Sequence, residues 1–334
     1  MTSYKVFING GFSFDVEQGE TIVQGSFRSL VKISHSCKNG RCGSCAFKVT
    51  EGDTEAFQEE FALNSLQKEE GWILTCVRTV KSDIILDANN IAFNNFSIPK
   101  TFPAKISSIF KFNKNIVIIK IRFPKNNNFK FLPGQYIDIV NNRRIGRSYS
   151  LANGFYLNNE LELNIKYINN GLLSQYWFNE AVIDDLLVVK GPYGSFCLGD
   201  VIGKNIIFLA TGTGIAPIKA LLEQLATFKK QNLPKKITLF WGVRFESDLY
   251  WNPLELDLEI IYTSVISSII NQKSNKNKKY IQDFAIESIS DINNTEIYAC
   301  GSLSMIEDAR SKFFQSGLNV KNFYSDAFVA SSVI

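Results

Sequence analysis

The run Cys37-Lys-Asn-Gly-Arg-Cys42-Gly-Ser-Cys45 sets three thiols close together, and a fourth, Cys76, follows thirty-one residues after Cys45. This C-x4-C-x2-C…C spacing is one with which thiolates hold a [2Fe–2S] cluster: three ligands on one loop let the backbone wrap round the irons, and the fourth closes the site from elsewhere. Gly40, Gly43 and Ser44 suit such a loop, because small residues let backbone N–H groups approach the sulfides. The same thiols also admit a zinc site, although zinc pairs usually come as two C-x2–4-C motifs. A mixed Cys/His cluster needs two histidines and is excluded, since His35 is the single histidine of the chain. His35 itself reads as a solvated loop residue.

The start, MTSYKVFINGG, lacks the basic-then-apolar layout of a secretory leader. A cytoplasmic protein is therefore expected, with its six cysteines as thiols or ligands rather than disulfides. No apolar run reaches the roughly 18–20 residues that span a bilayer; the stretches Asn115 to Phe123 and Ile206 to Ala210 are strand-sized. A chain of 334 residues suggests two or three domains of roughly 100–150 residues each. A net charge of +4 is too slight to indicate nucleic-acid binding. Its distribution is uneven, however: residues 1–95 carry nine Lys/Arg against twelve Asp/Glu, leaving 27 against 20 for the rest. An acidic first region on a basic body suits docking to another protein, and equally an ordinary solvated surface.

Residues 1–90 open with alternating runs, Tyr4 to Asn9 and Phe12 to Glu17, joined by Asn9-Gly10-Gly11, a hairpin signal. A helix is expected over Thr21 to Leu30, then the cysteine loop, then a strand over Ala46 to Thr50. The Asn-rich stretch Ile91 to Phe102 reads as a linker. Between 103 and 195 short strands are broken by turns: Ile116 to Phe123, Gln135 to Val140, Arg147 to Leu151, Glu160 to Ile168 and Leu186 to Val189. That pattern predicts an antiparallel β-barrel. From 203 onward strands (Asn205 to Ala210, Ile237 to Trp241, Leu258 to Thr263, Glu296 to Ala299) alternate with helices (Pro217 to Lys230, Ser304 to Ser316), which predicts an α/β doubly wound parallel sheet. The segment Asn271 to Lys279 reads as a polar surface loop.

Three further motifs carry chemistry. In Arg147-Ser-Tyr149-Ser150 a cation, an aromatic ring and a hydroxyl are the groups that an FAD pyrophosphate, its isoalloxazine and its reactive nitrogen call for. Gly171-Leu-Leu-Ser174 precedes an apolar helix pattern and can present N–H groups and a hydroxyl to phosphate, or can be a helix start with a serine cap. Thr211-Gly212-Thr213-Gly214-Ile-Ala-Pro217 follows a strand and opens a helix, so its glycines bring backbone donors close to a pyrophosphate, although it departs from the G-x-G-x-x-G pattern. Tyr298-Ala-Cys300-Gly301-Ser302 repeats the strand-to-helix layout; its thiol suits a place beside a nicotinamide ring or a buried structural position.

Together and in this order the motifs resemble the ferredoxin–NADP⁺ reductase superfamily, specifically members with a plant-type ferredoxin domain at the N-terminus. The resemblance covers nearly the whole chain. It implies an α+β ferredoxin-like (β-grasp) domain over 1–92, an antiparallel β-barrel flavin domain over 100–198 and a nucleotide-binding α/β domain over 203–334. It further implies that Cys37, Cys42, Cys45 and Cys76 hold the [2Fe–2S] cluster, that Arg147, Tyr149 and Ser150 bind FAD, and that Gly212, Thr213, Gly214 and Pro217 bind the nicotinamide dinucleotide. Cys300 and Gly301 are placed near hydride transfer. The ending Phe323-Tyr-Ser-Asp326-Ala-Phe328, with Tyr298-Ala-Cys-Gly-Ser, is most similar to the reductases of 3,6-dideoxyhexose biosynthesis, which serve an iron–sulfur dehydrase carrying pyridoxamine phosphate. There Phe328 would cover the flavin and Asp326 would lie near the hydride.

The expected activity is hydride transfer from NADH to FAD, with Ser150 and Cys300 near the transfer, then single electrons through the cluster to a partner protein. A partner dehydrase is one reading; an oxygenase, with this chain as the reductase component of a ring-hydroxylating dioxygenase or multicomponent monooxygenase, is another. A non-enzymatic iron–sulfur sensor module is a third. NADH is expected over NADPH because Thr263-Ser-Val-Ile-Ser carries no cation after its first serine, although the basic loop Lys273 to Lys279 is a second source of one.

Overall fold

The computed structural model describes residues 2–8, 11–31, 33–87, 97, 99–141, 143–154, 160–270 and 278–328. The chain divides into two compact units, one of Met1–Ile98 with Ser325–Ile334 and one of Pro99–Tyr324.

In the first unit, alternation along Ser3–Ile8 buries Val6 and Ile8, and along Phe12–Glu17 it buries Phe14 and Val16. The two strands pair antiparallel with Val6 opposite Phe14, which puts both on one face. The expected turn residues Asn9 and Gly10 lie outside the described residues. Ser3–Ile8 also pairs parallel with Ile84–Asp87, and Ala46–Glu51 and Trp72–Leu74 complete a five-stranded sheet. The helix Ile22–Arg28 begins at a reciprocal cap in which the Thr21 hydroxyl accepts from Gln24 N–H and the Gln24 side chain accepts from Thr21 N–H. It buries Ile22 and Val23 in the same core as Leu74, Ile84 and Leu86. This helix on a mixed sheet is the β-grasp arrangement that the resemblance implied.

The second unit holds two sheets. One is a six-stranded antiparallel sheet in the order Gly146–Ser150, Tyr136–Val140, Leu186–Tyr193, Lys100–Asn113, Ile116–Arg122, Glu160–Lys166. It curls, since the segment leaving Ser150 bonds to the far strand through Ala152 N–H and Glu162 O at 2.8 Å. Leu161, Leu163 and Ile165 face Ile121, Ile119 and Val117 across the last pair, and all six are core residues. The linker expectation needs correction: Lys100–Asn113 is a fourteen-residue strand that starts inside Ile91 to Phe102. Residues 91–96 and 98 of that stretch lie outside the described residues.

The second sheet of this unit runs Ile260–Ile266, Lys236–Val243, Asn205–Thr211, Thr295–Ser302, with parallel pairing throughout, and the strand Phe323–Phe328 is next in its order. Asn205–Thr211 is flanked on one side by the strand that follows it and on the other by a much later one. The order in which strands are added therefore reverses there, the point where open α/β sheets bind ligands at their carboxyl ends. The helix Ile215–Leu225 covers the sheet with Ile218, Leu221, Leu222 and Leu225. It starts two residues earlier and ends five earlier than the sequence pattern suggested. Among the described residues no helix is long and apolar enough to cross a membrane.

Candidate functional site

The four cysteines stand as two couples. Cys37 and Cys42 exchange backbone N–H···S bonds, at 3.4 Å from Cys37 N to Cys42 Sγ and 3.3 Å from Cys42 N to Cys37 Sγ. The hydrogen bond from the Cys37 thiol, with those from Ser44, outweighs burial and lowers Cys42 to about 5; the same bond raises Cys37. Cys45 and Cys76 repeat the relation, with Cys45 raised chiefly by its bond to Cys76, and Cys76 lowered by that bond and by Gly40 N–H. Among the described residues no three His, Cys, Asp or Glu side chains gather as ligands of one ion. A zinc ion needs its four ligands around one point, whereas a two-iron cluster takes two thiolates per iron. The paired donors fit the [2Fe–2S] cluster.

The loop's shape follows from a few residues. Lys38, Gly40 and Gly43 have φ of 57°, 74° and 75°, turning successive N–H groups inward. A Cβ on Gly40 would lie 2.7 Å from Glu59 O, so only glycine lets the 57–63 segment press against the loop. Glu60, which the sequence did not single out, is buried. It accepts from Leu74 N–H at 2.6 Å and pairs with Arg78 at 3.2 Å, anchoring the stretch that leads to Cys76. His35 is corrected from a solvated residue to a buried one: its ring packs edge-on to Phe27 at 4.7 Å, Nδ1 lies 3.1 Å from Ile33 O, and burial lowers it to about 4. It is neutral at physiological pH.

Asp326 and Ser325 belong to this same unit. The Ser36 hydroxyl donates to Asp326 Oδ1, Ser44 Oγ donates to Ser325 O at 2.7 Å, and Ser325 Oγ donates to Cys42 O at 3.0 Å. No local pattern of residues signals these contacts. Phe328 closes the strand and is exposed.

In the second unit, Arg147, Tyr149 and Ser150 lie on Gly146–Ser150, in register with Ile139, Ile137 and Tyr136. The pleat sends Arg147 and Tyr149 to one face. Trp177 Nε1 donates to the Tyr149 hydroxyl at 2.8 Å with the two rings edge-on, fixing the phenol, and burial pushes its ionisation upward. Gly171 caps the short helix Leu172–Gln175 without a side-chain bond, and the Ser174 hydroxyl accepts from Ile168 N–H at 2.9 Å. That closes the loop and leaves the Ser174 proton available to an anion.

Past Ser150, helix Ile215–Leu225 grips the chain. Lys219 Nζ donates to Ala152 O at 2.9 Å and pairs with Glu162 at 3.3 Å and Glu223 at 2.6 Å; Gly154 N–H donates to Glu223 at 2.6 Å. The flavin strand is thereby set against the helix that opens at Gly214. The i, i+4 spacing of Lys219 and Glu223 was visible in the sequence; their joint reach to Ala152 and Gly154 was not.

The two strand ends at the switch point touch. A Cβ on Gly214 would meet Cys300 O at 2.4 Å, and one on Gly301, whose φ is +131°, would meet Thr211 Oγ1 at 2.1 Å. Thr211 Oγ1 accepts from Ser302 N–H at 2.8 Å, and Trp241 Nε1 donates to Gly212 O at 2.9 Å, bracing the turn. Gly212, at φ +54°, faces open space, and the one heavy atom near its missing Cβ is Lys166 Nζ at 3.8 Å. An ammonium beside a glycine turn at a helix start is an arrangement that suits a pyrophosphate. Thr213 is buried in the turn, Pro217 occupies the first helical turn where its missing N–H costs nothing, and Cys300 is fully buried at the end of Thr295–Ser302.

Three domain families match the chain: the 2Fe-2S iron-sulfur cluster binding domain over residues 6–81, the oxidoreductase FAD-binding domain over 103–197 and the oxidoreductase NAD-binding domain over 208–311. CDP-6-deoxy-L-threo-D-glycero-4-hexulose-3-dehydrase reductase of Yersinia pestis is 35% identical over 326 residues, 96% of this chain and 97% of the relative. Protein RfbI of Salmonella typhimurium is 30% identical, covering 96% of this chain and 95% of its own. Reductase component 1 of terephthalate 1,2-dioxygenase from Comamonas sp is 27% identical over the same shares. Among solved structures, the Amycolatopsis cytochrome P450 reductase GcoB has a TM-score of 0.74 at 21% identity, covering 98% of this chain and 100% of that one, a likeness of fold.

Proposed function

Since the chain belongs to the ferredoxin–NADP⁺ reductase superfamily, in the branch with an N-terminal [2Fe–2S] domain, we propose that it supplies electrons from NADH to the dehydrase of CDP-3,6-dideoxyhexose biosynthesis. The observation that carries this reading is the end-to-end similarity, at 35% identity, to the Yersinia dehydrase reductase. The domains are read as 1–92, 100–198 and 203–334.

Bound FAD accepts an electron pair as hydride and releases electrons singly, which suits it to stand between a nicotinamide and an iron–sulfur centre. The chain's own residues do the rest. Arg147, the Gly171 turn and the Ser174 hydroxyl would hold the flavin pyrophosphate, Tyr149, its phenol held by Trp177, would supply an aromatic face to the ring, and Ser150 would supply a hydroxyl to its reactive nitrogen. Thr211, Gly212, Thr213 and Gly214 present the turn that receives the dinucleotide, with Lys166 as counter-charge and Pro217 stiffening the helix start. Cys300 and Gly301 would border the nicotinamide, and Phe328 and Asp326 keep the flavin-covering and hydride-side roles that the resemblance implies. Cys37, Cys42, Cys45 and Cys76 hold the cluster.

Support for NADH comes from the third strand end. The strand runs Ile260–Ile266, so Thr263 and Ser264 lie within it rather than after it, and the residues following it are Ser267-Ser268. No Lys or Arg occurs from Thr263 to Ile270. Arg244, whose carbonyl accepts from Ser268 N–H, turns its guanidinium over the Phe245 ring. Of the basic loop, residues 273–277 lie outside the described residues.

The test is an anaerobic reconstitution of this chain, NADH and the pyridoxamine-phosphate dehydrase with its CDP-4-keto-6-deoxyhexose, following NADH consumption and deoxygenated product. Coupled turnover is expected. Turnover with a ring-hydroxylating oxygenase component and none with the dehydrase would transfer the chain to the oxygenase reading.

A further inference from the structure

After Ser150 the chain leaves the flavin strand and forms no regular element as far as Gly154, yet it is held from two sides. On the side of the sheet, Ala152 N–H donates to Glu162 O at 2.8 Å and the Asn153 side chain accepts from Glu162 N–H at 2.9 Å. On the side of helix Ile215–Leu225, Lys219 Nζ donates to Ala152 O at 2.9 Å and Gly154 N–H donates to Glu223 at 2.6 Å. A Cβ on Gly154 would lie 2.7 Å from Ala220 O, so the chain lies flat on that helix. Ala152 has thus spent its N–H on the flavin sheet and its carbonyl on the helix. An ammonium has three protons to give, and Lys219 has three acceptors for them: Ala152 O, Glu223 at 2.6 Å and Glu162 at 3.3 Å.

The places of these residues along the chain give the clasp its consequence. Ala152 lies two residues past Ser150, and Lys219 lies five residues past Gly214, about 7.5 Å along the helix axis. The helix buries Ile215, Ile218, Leu221, Leu222 and Leu225 completely, so it moves as one body. At its start Gly214 is pressed against the next strand end, where a Cβ would meet Cys300 O at 2.4 Å. A continuous line of contacts therefore runs from Ser150 through Ala152, Lys219 and the helix to Gly214 and Cys300. We propose that Lys219 is a positioning residue for hydride transfer: its ammonium fixes where the helix that carries the dinucleotide turn stands along the flavin strand, and so sets the gap between nicotinamide and flavin while its own protons go to the protein. This rests on the assignment of residues 147–150 to FAD and of residues 211–217 to the dinucleotide.

The experiment is anaerobic stopped-flow reduction of the full-length, FAD-loaded chain by NADH, comparing wild type, Lys219→Met, Lys219→Arg and Glu223→Ala. Varying NADH separates its dissociation constant from the limiting first-order rate, which does not depend on how much FAD is loaded, and the long-wavelength charge-transfer absorbance of the nicotinamide–flavin pair reports the gap itself. Lys219→Met keeps the length of the side chain and gives up all three bonds. It is expected to lose about 10- to 100-fold in limiting rate, together with the charge-transfer band, while the NADH dissociation constant stays within about twofold. Lys219→Arg, which keeps a cation with several donors, is expected to keep the band and a rate within about fivefold of wild type, and Glu223→Ala, which releases Gly154, to fall between the two. An unchanged limiting rate in Lys219→Met overturns the proposal. So does a loss carried wholly by the dissociation constant, which would place Lys219 in dinucleotide binding, and so does a slow variant with the wild-type charge-transfer band, because its gap would be intact. Should Lys219→Met load no FAD, Glu223→Ala decides by the same criteria. A wild-type flavin that NADH does not bleach would instead overturn the assignment of the two motifs on which the proposal stands.

Discussion

The cysteine loop and the nucleotide turn each gather backbone N–H groups around a group that carries negative charge, and they do it with different materials. The loop of residues 37–45 is specified by side chains: its three thiols form two couples with Cys76 from outside the loop, and a carboxylate, Glu60, pins the stretch before Cys76. The turn of residues 211–217 is specified by the absence of side chains. Gly214 and Gly301 leave no room for a Cβ, and Gly212 leaves an opening that Lys166 overlooks. A site built from side chains tolerates backbone adjustment but not the loss of a named group; one built from backbone tolerates exchange of neighbouring side chains but not the addition of a methyl.

The sharpest break between the two comes from Gly301→Ala. Its Cβ would fall on Thr211 Oγ1 at 2.1 Å and Thr211 O at 2.8 Å, with φ +131° adding strain. We expect NADH-driven flavin reduction to fall about 100-fold, the loss that misplacement by about 1 Å brings, while the cluster's absorption and EPR signals are kept. Stopped-flow reduction at 450 nm, alongside iron and sulfide analysis, checks this. An alanine variant reducing its flavin at the wild-type rate would mean the two turns need not touch.

The converse variant is Glu60→Ala, which strands Leu74 N–H and takes the carboxylate from Arg78, leaving that guanidinium its bond to Thr54. Breaking a buried charged hydrogen bond costs about 2–3 kcal/mol. We expect that loss in the first unit's unfolding, measured by loss of cluster absorption in denaturant, with dinucleotide binding unchanged. Equal resistance of both variants' clusters would remove Glu60 from the account.

Between these extremes stands the flavin strand, where a side chain is oriented by another side chain. Trp177→Phe removes the donor to Tyr149 while keeping an aromatic of similar shape. A neutral hydrogen bond contributes about 1 kcal/mol net, so FAD should bind about fivefold more weakly. Fluorescence titration of the apoprotein with FAD measures it. Unchanged affinity would show that packing alone positions the phenol.

The same contrast explains what could be read in advance. Thiol spacing is a property of residue identity and survives in one dimension, so the cysteine loop was legible at once. The strand-turn-helix context of Gly212 and Gly301 was legible only because apolar runs such as Ile206 to Ala210 mark the strands. The strand Lys100–Asn113 was hidden because prolines at 99 and 103 and the neighbouring asparagines imitate a linker; pairing with Leu186–Tyr193 overrides them. His35 was misjudged because its burial depends on Phe27, eight residues earlier on a helix. Glu60, Lys166 and Ser325 act across 14, 46 and 283 residues respectively, and no local pattern announces such partners.

The central claim is that electrons enter at the nucleotide turn and leave through the cysteine loop. Cys42→Ser tests it most directly, because it removes one of four thiolates from the first unit, whereas the flavin and nucleotide motifs belong to Pro99–Tyr324. With FAD content confirmed, wild type and variant are assayed in parallel with NADH and two acceptors: ferricyanide, small enough to take electrons from the flavin, and the cognate protein partner or cytochrome c. The account predicts that the variant keeps ferricyanide reduction within about twofold and loses transfer to the protein acceptor by about 100-fold or more, the carrier at the exit being gone. A variant that lacks its cluster yet reduces the protein partner at the wild-type rate would contradict it, and would place the exit at the flavin.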